Sequence, residues 1–247
     1  MSYIFLCNKQ WTFHEIRDLG KNKLNALTTF EQQILAPAHA WLNGQQAFTL
    51  QTSGSTGKPK SITFSREQIQ KSVRQTVRAF NLQTGQLLFC PLAVNYVAGF
   101  MMLMRGLVHN MPVYFVEPGK NPISQEILHE KFHFAAFIPL QLKTILEAGG
   151  QYQDFINKLD TIILGGGPVD PALADQLQYL HPVIYHTYGM TETLTHVAIR
   201  CLNPERWETY QALNGVSFDQ DQDERLIIHT PIWEESITTN YYIQLLN

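Results

Sequence analysis

The sequence predicts an α/β fold in which helices pack around a largely parallel sheet. Short apolar runs that are typical of buried strands alternate with segments that have the apolar spacing of amphipathic helices. Glycine-containing stretches follow predicted strands at 54–57 and 165–167. After residue 195 the helical spacing gives way to strand-like pieces. We therefore predict an α/β core over residues 1–195 and a smaller β-rich segment of the same large domain over 196–247.

The bulk composition is that of an ordinary globular protein, and it excludes several function classes. Of the 247 residues, 45% are hydrophobic and 16% are charged, and the net charge is −3. Because no basic face is indicated, we expect no nucleic-acid partner. No apolar run reaches the ~18 residues of a membrane span, so we expect no membrane partner. Cys7, Cys90 and Cys201 lie far apart and are odd in number, which predicts reduced thiols and a cytoplasmic location.

The N-terminal third of the chain is predicted to hold two strands and two helical regions. The apolar N-terminus lacks a basic n-region and is interpreted as a first strand, not a signal peptide. Residues 14–44 have helical spacing, which Pro37 is expected to interrupt. Residues 47–54 form a short strand that runs into a glycine-containing loop. Residues 65–82 form an amphipathic helix, and the Ser65 side chain can cap its first turn.

Strands and helices continue to alternate through the rest of the predicted core. The predicted strands are 85–93, 111–118, 133–140 and the first parts of 159–178 and 181–193. The predicted helices are 96–110, which is apolar apart from one cation, 124–132, 141–149 and the last part of 159–178. The strand-like pieces of the β-rich segment are 194–202, 225–233 and 237–247.

The stretch "QTSGSTGKPK" at 51–60 has two interpretations, a flexible linker or a phosphate-binding loop. A strand precedes it and a helix follows, which favours the phosphate-binding loop because such units present backbone N–H groups to an anion. Gly54 and Gly57 would let the backbone close around oxygen atoms. The Walker A pattern is excluded, since that pattern needs glycine where Thr52 stands and a hydroxyl residue where Pro59 stands.

Three stretches carry a resemblance to a known family. "TSGSTGKPK" (52–60) is similar to the phosphate loop of the adenylate-forming superfamily, which includes acyl-CoA synthetases, peptide-synthetase adenylation domains and luciferases. "ILGGGP" (163–168) and "YGMTET" (188–193) resemble two further motifs of that superfamily, in the same order. The resemblance implies the large N-terminal domain of the adenylate-forming fold. It also implies that a carboxylate reacts with ATP to give an acyl-adenylate and pyrophosphate, after which the acyl group passes to coenzyme A.

The resemblance also implies roles for individual residues. The β- and γ-phosphates of ATP would be held by Thr52, Ser53, Gly54, Ser55, Thr56 and Gly57, with Lys60 closing the loop. The adenine side would consist of Gly165, Gly166, Gly167, Pro168, Tyr188 and Gly189. Thr191 would bond the α-phosphate and Glu192 would ligate Mg²⁺, so that Lys60, Thr191 and Glu192 form the catalytic set. A solvated loop acid is the alternative interpretation of Glu192.

Between these motifs the sequence looks most like the o-succinylbenzoate–CoA ligases of menaquinone biosynthesis. Arg105 is the candidate for binding the substrate's carboxylates, because a cation on an otherwise apolar helix needs a partner. Pairing with a structural acid or exposure of its charged end to solvent are the alternatives. Asn95 and Tyr96 are further substrate-side candidates. His186 is another, with a structural histidine as its alternative.

Two departures from the superfamily pattern limit the expected activity. The superfamily has a C-terminal domain with a catalytic lysine, which we expect to be absent from these 247 residues. Tyr241 stands where the ligases have an aspartate that holds the ribose. We therefore expect the chain alone to lack full activity. A catalytically degenerate nucleotide-binding module and a CoA synthetase for another aromatic or aliphatic acid are the alternatives. The expected partners are a small carboxylic acid, ATP and CoA, and homodimerisation is left open.

Overall fold

The structure, a computed structural model, describes residues 3–6, 9–52 and 60–243. Its strands are β1 (Tyr3–Leu6), β2 (Lys9–Thr12), β3 (Ala47–Gln51), β4 (Ser61–Ser65), β5 (Leu88–Cys90), β6 (Val113–Phe115), β7 (Phe134–Phe137), β8 (Thr161–Leu164), β9 (Val183–Gly189), β10 (His196–Asn203), β11 (Gln211–Ala212), β12 (Ser217–Gln220), β13 (Arg225–His229) and β14 (Ile237–Tyr242). Its helices are α1 (Phe13–Arg17), α2 (Lys21–Asn25), α3 (Thr29–Leu42), α4 (Arg66–Ala79), α5 (Val97–His109), α6 (Pro139–Ala148), α7 (Gly150–Asn157) and α8 (Pro171–Leu177).

The main sheet confirms the α/β prediction. Within the described residues it has nine strands in the order β11-β10-β9-β8-β7-β5-β6-β1-β2. The strands from β9 to β1 pair in parallel, while β2, β10 and β11 pair antiparallel at the two ends. The parallel strands are apolar on both faces because helices cover both sides; all four residues of β7, for example, are buried.

The strand order reverses next to β5, and this reversal positions the site. The chain leaves β5 to form β6 on one side and then returns to form β7 on the other. At such a switch point the loops that follow the two strands diverge and leave a crevice at the carboxyl ends of the strands. The fold therefore predicts a ligand site beyond Cys90 and Phe137, where β5 and β7 end.

Two helices on one face of the sheet illustrate how sequence pattern decides burial. The helix α4 is amphipathic, and its first turn is capped by Ser65 in a reciprocal arrangement with Gln68, as predicted. Such a cap contributes about 1 kcal/mol to helix stability. The helix α5 is apolar around most of its circumference and is buried between α3, α4 and the sheet. Arg105 is a buried cation in this helix.

The structure corrects the sequence-based elements of the N-terminal region. Residues 14–44 form three helices, α1 to α3, and Pro37 lies inside α3 without interrupting it. A proline within a helix removes one backbone hydrogen bond. The buried face of α3, with Ile34, Leu35 and Trp41, compensates for that loss by packing against the core. The predicted helix at 124–132 contains only a short 3₁₀ turn, Gln125–Ile127, and α7 was not predicted.

The elements on either side of the glycine-containing stretch at 51–60 differ from the predicted strand and helix. A strand, β4, separates it from α4, and β4 pairs antiparallel with β3 from Ala47–Ser65 to Gln51–Ser61. The stretch therefore connects two antiparallel strands rather than a strand and a helix. The sequence reasoning missed β4 because its pattern, "SITFS", is short and mostly polar.

The β-rich end of the chain confirms the change in texture after residue 195. The strands β12, β13 and β14 form a separate antiparallel sheet. Leu226 and Ile228 of this sheet form an apolar cluster with Val197, against which Tyr188 and Met190 also pack. The proposed boundary at 195/196 falls between the paired strands β9 and β10, and the division into segments remains a prediction. None of the described helices has the length and apolar character needed to span a membrane.

Candidate active site

A cavity of about 370 Å³ lies at the carboxyl edge of the sheet, beside the switch point. Its wall includes Leu92 and Ala93 after β5, Ile138 after β7 and residues of the loops after β8 and β9. The structure brings six of the predicted site residues to this wall: Tyr96, Arg105, Gly165, Gly166, Gly189 and Thr191. The fold and the motifs therefore identify the same place.

The loop after β8 is held close to its neighbours by backbone and hydroxyl hydrogen bonds. The Gly165 N–H donates to the Phe137 carbonyl over 3.1 Å, and the Thr187 hydroxyl donates to the Leu164 carbonyl over 2.9 Å. A Cβ at Gly165 would lie 3.0 Å from the Thr187 hydroxyl oxygen, and Gly166 has φ +78°. This conformation favours glycine. The loop therefore exposes backbone at the cavity wall.

His186 ties this loop to a residue that the sequence reasoning did not single out. Its Nε2 lies 2.9 Å from the Gly167 carbonyl oxygen, and its Nδ1 lies 2.6 Å from the Tyr210 hydroxyl. A carbonyl oxygen can only accept, so Nε2 carries the proton and the neutral ring accepts the Tyr210 proton at Nδ1. Burial lowers the pKa of His186, which favours this neutral form. His186 therefore supports the glycine loop from behind.

Tyr188 lies beside the same loop, between two other tyrosine rings. The ring centroids of Tyr210 and Tyr241 are each 6.2 Å from that of Tyr188, and both contacts are edge-on. The Tyr188 hydroxyl is buried, and no described residue forms a hydrogen bond with it. Burial raises the pKa of Tyr188 to about 12, so the phenol is neutral. We call Gly165–Gly167, His186, Tyr188 and Tyr210 the glycine-loop side of the site.

The predicted catalytic pair lies in the turn after β9. Thr193 shapes this turn, because its hydroxyl accepts from the Met190 N–H at 3.0 Å and can donate to the Thr195 carbonyl at 2.7 Å. Thr191 is buried and lines the cavity. Glu192 is half-buried and forms no ion pair with any described residue. Its carboxylate is therefore available to a cation.

A second part of the cavity wall carries a buried charge. Arg105 is 2% exposed, and its Nη2 lies 3.4 Å from the Thr76 hydroxyl and 3.2 Å from the Thr195 hydroxyl. No described acid pairs with it, and its Nε is buried without a partner. Neither alternative interpretation, a structural acid or exposure to solvent, applies. Burial lowers the pKa of Arg105 to about 10, which leaves the side chain charged at neutral pH.

His196 completes this group of polar side chains. Its Nε2 lies 3.4 Å from the Thr76 hydroxyl, and its Nδ1 lies 3.4 Å from the Thr195 hydroxyl. Burial, and then the charge of Arg105, lower the pKa of His196 well below its ordinary value. The ring is therefore neutral. We call Thr76, Arg105, Thr195 and His196 the cavity floor.

The other predicted residues lie outside this cavity or outside the described residues. Thr52 and Lys60 contact each other beyond β3 and β4, since Thr52 N–H donates to the Lys60 carbonyl at 2.9 Å and Lys60 N–H to the Thr52 hydroxyl at 3.0 Å. Asn95 is exposed and lines a second, more open cavity of about 600 Å³ against α3 and β3. The predicted phosphate-loop residues that the structure does not describe are Ser53, Gly54, Ser55, Thr56 and Gly57.

Comparison with known proteins decides the family. A family model described as "AMP-binding enzyme" matches residues 10–221. The chain belongs to the AMP-binding enzyme family. Its resemblance to the adenylate-forming superfamily, deduced from three short motifs, is thereby confirmed.

Individual relatives and solved structures show which members of the family this chain is similar to. It is 26% identical to the 2-succinylbenzoate–CoA ligase of Listeria innocua over 159 residues, which are 64% of this chain and 33% of that protein. An acyl-CoA synthetase (AMP-forming)/AMP-acid ligase II-like protein from Dyadobacter fermentans has 35% identity and a TM-score of 0.81, over 92% of this chain and 66% of that one. The chain spans about a third of the length of the curated relatives it matches.

A more distant structure confirms the fold alone. The O-succinylbenzoate coenzyme A synthetase of Bacillus subtilis, solved with ATP and magnesium ion, has a TM-score of 0.64 at 17% identity, over 76% of this chain and 42% of that one. The matched portion of that chain corresponds to the fold described above. This chain therefore has the fold of the large α/β domain of adenylate-forming enzymes.

The sequence reasoning missed four residues of this candidate site: Thr76, Thr195, His196 and Tyr210. They come from α4, from the turn after β9, from β10 and from the strand-poor segment before β11. No motif links them, because they meet only when the sheet and helices have packed. Thr195 and His196 lie two and three residues after the end of the "YGMTET" motif, and that proximity is the one signal in the sequence.

Proposed function

We propose that this chain is the ATP- and acid-binding domain of an acid–CoA ligase that acts on o-succinylbenzoate in menaquinone biosynthesis. Such a ligase forms an acyl-adenylate from the acid and ATP with release of pyrophosphate, and then transfers the acyl group to the thiol of coenzyme A. The curated relatives named 2-succinylbenzoate–CoA ligase support this choice of acid. Since the chain spans about a third of their length, the activity of the whole protein is part of the proposal.

One observation carries the choice of substrate. Arg105 is buried in the cavity wall with no described acid partner, and a buried cation without a counter-charge is costly. A ligand carboxylate would supply the missing negative charge and accept from the unused N–H groups. o-Succinylbenzoate has two carboxylates, so one can reach the floor while the other reacts. Tyr96, which is 53% exposed, would border the entrance.

The glycine-loop side of the cavity suits the nucleotide. Gly165, Gly166 and Gly167 would lie against adenine, with Tyr188 on its other face and Pro168 and Gly189 at its border. His186 would act through the loop that it supports. Thr191 would donate to the α-phosphate, next to the point where the acid's carboxylate attacks. The residues from Thr52 to Gly57, together with Lys60, would hold the β- and γ-phosphates.

The site also fits a magnesium ion. Mg²⁺ is commonly bound by one or two carboxylates together with substrate phosphates, and Glu192 offers a carboxylate that no described cation occupies. When bound, the ion would offset the negative charge of the phosphate oxygens. Thr191, one residue before Glu192, would then orient the α-phosphate with its hydroxyl.

A pyrophosphate-exchange assay tests this proposal. The chain would be incubated with ATP, Mg²⁺, labelled pyrophosphate and a panel of aromatic and aliphatic carboxylic acids. The proposal predicts the fastest exchange with o-succinylbenzoate. Another acid that clearly gave the fastest exchange would overturn the choice of substrate and favour a CoA synthetase for that acid.

A second candidate function is a nucleotide-binding module that has lost catalysis. Tyr241 supports this candidate, because it stands where the ligases have the ribose-binding aspartate and its ring packs edge-on against Tyr188. The module would bind AMP or an adenylate analogue saturably but would exchange no pyrophosphate with any acid. Tyr241→Asp would then raise the affinity for AMP about tenfold, as expected for a charge-assisted hydrogen bond to the ribose.

A further inference from the structure

The four side chains of the cavity floor form a closed ring of hydrogen-bonding distances. Arg105 Nη2 lies 3.4 Å from the Thr76 hydroxyl and 3.2 Å from the Thr195 hydroxyl. The two nitrogens of the His196 ring lie 3.4 Å from the same two hydroxyls, Nε2 from Thr76 and Nδ1 from Thr195. Each threonine therefore contacts the cation on one side and the imidazole on the other.

The proton count of this ring fits a neutral histidine. Nη2 has two N–H groups, and each threonine oxygen can accept one of them. Each hydroxyl keeps a single proton to donate. A neutral imidazole can then accept from one hydroxyl and donate to the other, which uses both of its ring nitrogens. The burial of His196 beside Arg105 favours the same form.

The ring occupies only one nitrogen of the guanidinium. No described residue accepts from Arg105 Nε or Nη1, and Arg105 lines the cavity. Holding Nη2 between two threonines limits rotation of the guanidinium about its long side chain. The remaining N–H groups are therefore presented in one orientation, which favours a planar, anionic acceptor such as a carboxylate.

We infer that His196 is a positioning residue for Arg105: through Thr76 and Thr195 it fixes the guanidinium and thereby gives the cavity its preference for acids with a second carboxylate. This inference rests on the proposed acid-binding role of the cavity. It adds three specificity-determining residues from α4, β10 and the turn between β9 and β10. His196 touches neither the acid nor the nucleotide in this role.

The first readout needs no ligand. NMR of the arginine side chains reports how fast the guanidinium protons exchange with water, and the signal of Arg105 is identified by its loss in Arg105→Met. His196→Phe removes both ring contacts and is expected to speed the exchange of the Arg105 protons at least tenfold, or about 1.4 kcal/mol. His196→Gln places one donor and one acceptor side by side and is expected to retain slow exchange.

The second readout is calorimetric binding of two acids. o-Succinylbenzoate has a ring carboxylate that benzoylpropionate, otherwise the same acid, lacks. His196→Phe is expected to weaken binding of o-succinylbenzoate about tenfold and to leave benzoylpropionate within about twofold. In the Arg105→Met background, His196→Phe is expected to have no further effect, because residues that act through one another are not additive.

His133→Gln is the matched control. Its ring accepts a backbone N–H from Leu87 at 3.1 Å, and it does not line the cavity. This substitution is expected to leave both the exchange of the Arg105 protons and the two affinities unchanged. If His196→Phe does not fold, Thr195→Val removes one hydroxyl at nearly constant volume and is judged by the same two readouts.

The outcomes separate the inference from the proposed function. Absence of o-succinylbenzoate binding by the wild-type chain would contradict the proposed substrate, while the exchange of the Arg105 protons would still decide the inference. Unchanged exchange in His196→Phe or Thr195→Val would overturn the inference. So would an equal loss of affinity for both acids, additivity with Arg105→Met, or an equal effect of His133→Gln.

Discussion

The two ends of the cavity are built in different ways. The glycine-loop side is neutral, and the loop is fixed there by short contacts to backbone, such as the 2.9 Å contact between His186 Nε2 and the Gly167 carbonyl. The cavity floor is charged, and its side chains contact one another over 3.2 to 3.4 Å. A loop that presents its backbone to a ligand depends on particular residues at successive positions of the sequence. A cluster of side chains can instead be assembled from distant segments. A sequence motif therefore marks the first end and not the second.

The largest expected effect comes from the point where the two ends meet. A Cβ at Gly189 would lie 2.4 Å from the Thr195 carbonyl oxygen and 2.6 Å from His196 Cα. Gly189→Ala must therefore separate β9 from β10, and we expect the free energy of unfolding to fall by about 3 kcal/mol in urea denaturation.

Gly167→Ala is the control for that substitution, because no atom lies within 4 Å of its added Cβ. We expect a change in stability below about 0.5 kcal/mol. Equal destabilisation by the two substitutions would contradict the close contact of Gly189 with Thr195 and His196.

The second effect separates stability from binding. Arg105→Met removes a buried cation that has no described acid partner, so we expect the free energy of unfolding to stay within about 1 kcal/mol of wild type. The affinity for o-succinylbenzoate is expected to fall about 30-fold, since charged hydrogen bonds contribute about 2 kcal/mol. Calorimetry with AMP is the control, and its affinity should not change. A parallel loss of AMP affinity would mean that the two ends are not independent.

The third effect uses the two buried histidines. Each has a pKa below the ordinary value of about 6.5, so each binds fewer protons in the folded state than in the unfolded state at mildly acidic pH. Stability from both is fully present above pH ~6.5 and is lost as the pH falls through the window down to the folded pKa. One such group changes the free energy of unfolding by up to ~1.4 kcal/mol per pH unit.

Substitution of each histidine tests which of the two causes which part of the pH dependence of stability. His196→Gln is expected to remove a pH dependence that continues to lower pH than the one removed by His186→Gln, because the pKa of His196 is lowered further. Urea denaturation of the wild type and both variants between pH 5 and pH 7 measures this pH dependence of the free energy of unfolding. A wild-type slope that both variants retain would contradict the neutral state assigned to the two rings.

The smallest effect tests the support of the glycine loop. Tyr210→Phe removes the hydroxyl that lies 2.6 Å from His186 Nδ1, and we expect a loss of about 1 kcal/mol in stability and a few-fold loss in AMP affinity. Tyr179→Phe is the matched control, since Tyr179 is 82% exposed. No difference between the two variants would mean that Tyr210 does not support the loop.

Local patterns explain which parts of the fold could be predicted. The strands β5 to β9 have short apolar runs, and α4 and α5 have clear caps or apolar periodicity. The strand β4 was missed because "SITFS" has only two apolar residues. Pro37 was expected to interrupt the helical region because local propensity opposes proline, yet α3 continues through it. In both cases tertiary packing decided the structure.

The candidate site likewise contains residues that could be predicted from local sequence and residues that meet only through tertiary packing. Gly165 and Gly166 of the motif "GGGP" and Gly189 and Thr191 of the motif "YGMTET" line one cavity, while their binding roles remain predictions. Arg105 was predicted from its chemistry, as a cation on an apolar helix. Thr76 and His196 are separated by 120 residues, and their contact depends on the packing of α4 against the end of β10. No spacing in the sequence encodes it.

The most direct measurement is calorimetric titration of the chain with a sulfamoyl-adenosine analogue of the o-succinylbenzoyl adenylate, which spans both ends of the cavity. We predict saturable binding of one molecule per chain, competition by AMP, and about 30-fold weaker binding to Arg105→Met than to His133→Gln. Absence of binding, or equal binding by the two variants, would contradict it.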